Sequence, residues 1–157
     1  MYGTIKYIVY VSEVFKVEKI KLLQLIAKDN TVQFNTLEFP DNIFNLDKSN
    51  EFGLNLVSLD EDVRCEYEPN SPSYLERINC LKDLHDYGFK TFVNIDLHPQ
   101  IILKNNDLNK LLKTISFVDK ILIKKSSPDI DPIILNDYHN ILVDYCNENY
   151  IKYFIFD

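Results

Sequence analysis

Ser58-Leu59-Asp60-Glu61-Asp62-Val63-Arg64-Cys65-Glu66-Tyr67-Glu68-Pro69 and, behind it, Lys90-Thr91-Phe92-Val93-Asn94-Ile95-Asp96 are the two runs that organise this chain, both inside Leu56–Pro99. Together they read as strand, charged loop, capped helix, glycine stop and second strand. The loop is Asp60–Asn70, and the helix runs from about Ser73 to Tyr87. Ser73 and Glu76 have capping-box spacing, and Leu75, Ile78, Leu81 and Leu84 form an apolar stripe. Gly88 stands where a left-handed C-terminal residue belongs. Within Lys90–Asp96, Asn94 and Asp96 alternate with Val93 and Ile95, so the two polar residues share one face of the strand.

On both sides of this stretch the same alternation of types continues. Ile5–Val11 is β-branched and aromatic and predicts a strand buried on both faces. Glu13–Lys28 has Val17, Ile20, Leu23, Ile26 and Ala27 at helical spacing, and Thr31–Leu37 predicts a second strand. Pro40–Glu51 is polar, with Ile43, Phe44 and Leu46 suggesting a short helical turn before a third strand, Leu54–Leu59. Beyond Pro99, Asn106 or Asp107 caps a helix carrying Leu108, Leu111, Leu112 and Ile115. Lys120–Lys124 is a fifth strand. Asp131-Pro132 opens a last helix with Ile134, Tyr138, Ile141 and Tyr145 on one stripe, and Tyr150–Phe156 is a final strand. Strands alternating with helices predict an α/β fold in one domain spanning 1–157, with a mainly parallel sheet of about six strands.

Composition bounds the function. The chain has 157 residues, enough for one substantial core, and its 46% hydrophobic and 26% charged content is that of a globular protein. A formal net charge of −7 with Arg64 and Arg77 as the only arginines argues against a sequence-blind grip on nucleic acid. Cys65, Cys80 and Cys146 lack metal-ligand spacing and an odd count does not suggest a disulfide framework, so they read as reduced thiols in a cytoplasmic protein. Cys80 reads as a small core residue. No signal peptide and no membrane-length apolar run is visible.

In a parallel α/β sheet, sites form at the C-terminal strand ends. Here those ends offer Ser12, Thr36, Ser58, Asp60, Asn94, Asp96 and Lys124. Asp96 with nearby His98 has the chemistry of a general base and its orienting partner, or of two metal ligands. A plain hydrogen-bonded carboxylate at a strand end fits the same residues. His85, near a helix C-terminus, and His139, in the last helix, read as structural. No glycine-rich phosphate loop, Gly-x-Ser-x-Gly elbow or His-Glu-x-x-His motif is present.

Ser58-Leu59-Asp60-Glu61, the Tyr67-Glu68-Pro69 turn, Glu76-Arg77-Ile78, Leu84-His85-Asp86-Tyr87-Gly88 and Val93-Asn94-Ile95-Asp96 resemble the radical S-adenosylmethionine (radical SAM) superfamily, in the branch of spore photoproduct lyase-like and DNA repair photolyase-like proteins. The resemblance spans roughly Thr31 to Ile123. It implies a partial TIM-like barrel with a 4Fe–4S cluster and SAM at the C-terminal strand ends. In that family a Cys-x-x-x-Cys-x-x-Cys loop after the first strand holds the cluster. This sequence has no such motif, and its first strand corresponds to the family's second.

Carried over residue by residue, Thr36, Ser58 and Asp96 keep cofactor-facing positions, while Asn94, Asp96 and Leu97 replace the family's Ser, Glu and Pro. The resulting expectation is a cluster-free radical SAM-like scaffold or binding protein without bound cofactor, either a remnant or one part of a split protein. Its lumen rim would be lined by Thr36, Ser58, Asn94 and Lys124. The unpaired edge Ile5–Val11 implies a protein partner or a homodimer at that strand. Two alternatives remain: an independent enzyme built around Asp96 and His98, and a DNA-associated protein related to repair lyases.

Overall fold

Six short β-rich runs become six parallel strands, hydrogen-bonded in the order of the sequence. The computed structural model describes residues 6–11, 31–36, 41–95, 108–124 and 130–156. The strands are β1 (Lys6–Val11), β2 (Thr31–Thr36), β3 (Glu51–Leu56), β4 (Lys90–Ile95), β5 (Lys120–Lys124) and β6 (Lys152–Phe156). The α-helices are α1 (Glu61–Tyr67), α2 (Tyr74–Asp86), α3 (Leu108–Thr114) and α4 (Pro132–Glu148), with a short 3-10 turn at Asp41–Asn45. Among the described residues strands β1 and β6 are the two edges, so the sheet is open rather than a closed barrel. The expected helix over Glu13–Lys28 lies outside the described residues, as do the Asn106/Asp107 cap and the residues from Asp96 to Pro99.

Strand alternation divides the sheet into two faces of different character. Phe52, Leu54 and Leu56 of β3, Val93 and Ile95 of β4, and Ile121 and Ile123 of β5 point to one face, where all are buried. Ile78, Leu81 and Leu84 of α2, Leu111 and Leu112 of α3, and Leu142 and Cys146 of α4 join them in one core cluster. Ile43 and Leu46, at the 3-10 turn, close the same core. On β3–β5 the other face sets Phe92 and Leu122 among Glu51, Asn55, Asn94 and Lys120, and it carries the candidate site.

Helix α2 forms as its signals require. Ser73 Oγ accepts from the Glu76 N–H at 3.2 Å, while the Glu76 carboxylate accepts from the Ser73 N–H at 2.9 Å. At the other end Gly88 takes φ +99, a conformation that costs an L side chain strain. Helix α4 begins with Asp131 accepting from the Ile133 N–H at 2.8 Å and Pro132 in its first turn.

Five local expectations need correction. The segment expected as a charged loop, Asp60–Asn70, contains helix α1: Asp60 caps it by accepting from the Asp62 N–H at 2.9 Å. Glu61 and Asp62 then sit in its first turn, where the helix dipole favours them. Strand β3 begins at Glu51 and ends at Leu56, earlier than Leu54–Leu59, because its register ties Glu51 to both Gln33 and Lys90. On α2 the buried face is set by Tyr74 and Arg77, leaving Leu75 62% exposed and Cys80 exposed rather than in the core. On α4 the buried positions are Leu142 and Cys146, and Ile141 is exposed. Tyr150 is outside β6, in a left-handed turn at φ +57.

Candidate functional site

The polar face is built from register. Gly53 stands beside Phe92, and Asn55 beside Asn94. Phe92 in turn neighbours Lys120, and Asn94 neighbours Leu122. In a parallel sheet such neighbours share a face, so β3, β4 and β5 present a layered surface.

Its lower layer is ionic. Lys120 bonds to the Glu51 carboxylate across β4, and its ammonium stands 5.2 Å from the Phe92 ring centre. Gln33, in register with Glu51, is buried. The middle layer is aromatic. Phe92 is buried and lies directly across Gly53, where a Cβ would come within 2.3 Å of the ring. Only the missing side chain at position 53 leaves room for it.

The upper layer is amide. Asn94 Nδ2 donates to Asn55 Oδ1 at 2.8 Å, and Asn94 Oδ1 is buried with no hydrogen-bond partner among the described residues. An unpaired buried acceptor costs about 1–3 kcal/mol.

Behind β3 a buried ionic brace fixes the amide layer. Arg77 has no exposed side-chain surface; it bonds to the Glu68 carboxylate and donates Nη2 to the Asn55 carbonyl at 2.5 Å. Arg64 bonds to Glu61 and donates to the Ser71 carbonyl at 2.8 Å, while Glu61 also accepts from the Tyr74 N–H at 2.8 Å. Both arginines of the chain are therefore engaged within it. Tyr74 packs beside Arg77, its ring centre 5.4 Å from the guanidinium carbon. Burial, reinforced by the Glu68 charge, pushes the Tyr74 hydroxyl up to about 12.

The residues expected from sequence fare differently. Asn94 lies on the polar face, half-buried and paired. Ser58 is buried, and its Oγ accepts from the Asp60 N–H at 3.0 Å, so its hydroxyl closes the turn leading into α1. Lys124 is exposed at the end of β5, where its carbonyl lies 2.8 Å from His139 Nε2. Since a carbonyl only accepts, His139 carries its proton on Nε2. Thr36 ends β2 in register with Val11. Asp96 and His98 lie outside the described residues.

Several members of the site were missed in the sequence, Asn55 and Lys120 among them. Asn55 was signalled by its position as a single polar residue between Leu54 and Leu56. Lys120 gave no signal of its own, because its Glu51 partner is 69 residues away.

The cysteines are dispersed. Cys65 is exposed on α1, with Arg64 Nη2 3.3 Å from its sulfur, and Cys80 is exposed on α2. Cys146 is buried on α4, where burial pushes its thiol up to about 11. Among the described residues, no group of three or more His, Cys, Asp or Glu side chains is arranged to hold a metal ion. No described helix is long and apolar enough to cross a membrane.

No family model and no curated protein matches the sequence. Among solved structures, the chain is similar to a domain of pyruvate-formate lyase-activating enzyme from Bacteroides vulgatus ATCC 8482. The match has a TM-score of 0.69 and covers 99% of each chain at 12% identity. At that identity the likeness is one of fold.

Proposed function

We propose that this chain is a radical SAM-like partial barrel serving as a binding or scaffold module, without radical chemistry of its own. The polar face would then be the inner wall of the partial barrel, with Asn55, Asn94 and Lys124 toward its rim. The observation that carries the reading is the placement of the three thiols. A cluster that activates SAM needs three thiolates converging on one loop, with an iron left open. Cys65, Cys80 and Cys146 stand on three different helices, and Cys146 is kept as a buried neutral thiol. They do not fit that group.

Two further features support a role in protein association rather than nucleic-acid binding. Both arginines are spent on internal braces, and the chain is acidic overall. Strand β1 forms one edge of the sheet. A partner strand there, from a second copy or from a separate chain supplying a cluster loop, would complete its hydrogen bonding. Anaerobic iron–sulfur reconstitution tests the proposal. The protein should emerge without a cluster chromophore, and a stable brown species with stoichiometric iron and sulfide would overturn it.

A further inference from the structure

We draw no further inference here: the strongest candidate, the apolar edge strand β6 with Phe154 57% and Ile155 47% exposed on its two faces, carries nothing because no feature of the structure shows what covers it.

Discussion

A methyl group at position 53 has nowhere to go. The Cβ of a Gly53→Ala variant would fall 2.3 Å from the Phe92 ring, and the ring itself is buried. Alanine is otherwise as acceptable as glycine in a strand, so any loss isolates this contact. Gly53→Ala should destabilise the protein by about 1–3 kcal/mol in urea unfolding. In a Phe92→Ala background the same substitution should cost far less, and equal costs in both backgrounds would contradict the packing. Tyr74 gives a prediction of opposite sign. Its hydroxyl is buried without a partner among the described residues, so Tyr74→Phe should be neutral or stabilising at neutral pH. Because its folded pKa is raised from 10 to about 12, the folded state favours the neutral phenol. That contribution is fully present below the unfolded value and is lost as pH rises from about 10 to about 12. Alkaline unfolding of Tyr74→Phe should lack this part of the loss. A variant that melts in the same alkaline window with the same steepness would show that Tyr74 is not the group responsible.

Among the elements, helix α2 rests most visibly on local chemistry. Ser73→Ala removes the Ser73 side-chain half of the capping box and should cost about 0.5–2 kcal/mol by denaturant unfolding, whereas Ser73→Asp should retain most of the stability. A Ser73→Ala protein as stable as the parent would mean that tertiary packing alone fixes the helix start. This cap, the Gly88 stop and the β4 alternation were legible in the sequence because each depends on residues a few positions apart. Helix α1 was not, since its acidic run offers only Val63 to the interior and no apolar stripe. Its identity comes from the Asp60 cap and from Arg64 and Glu61 reaching beyond the helix to Ser71 and Tyr74. Leu75 and Cys80 were misread for a related reason. Arg77 takes the buried position because Glu68 and the Asn55 carbonyl, distant in sequence, receive its charge and hydrogen bond. The candidate site divides along the same line: Asn94 was legible from alternation, while its pairing with Asn55 and the Glu51–Lys120 bridge depend on register across strands.

At the scale of the whole molecule, an all-parallel sheet with helices packed against its apolar face leaves a polar face and two edges to be explained. Mass in solution, combined with amide exchange along β1, tests the proposed association. A dimer or a partner complex with protected β1 amides is expected. A stable monomer whose outward β1 amides exchange freely would remove the partner from the proposal. The proposed function holds that a radical SAM-like fold is kept without the radical chemistry. Its most direct test is anaerobic reconstitution with iron and sulfide, followed by visible absorption and titration with SAM. The prediction is no cluster absorption and no saturable SAM binding; a cluster whose spectrum shifts stoichiometrically on adding SAM would contradict it.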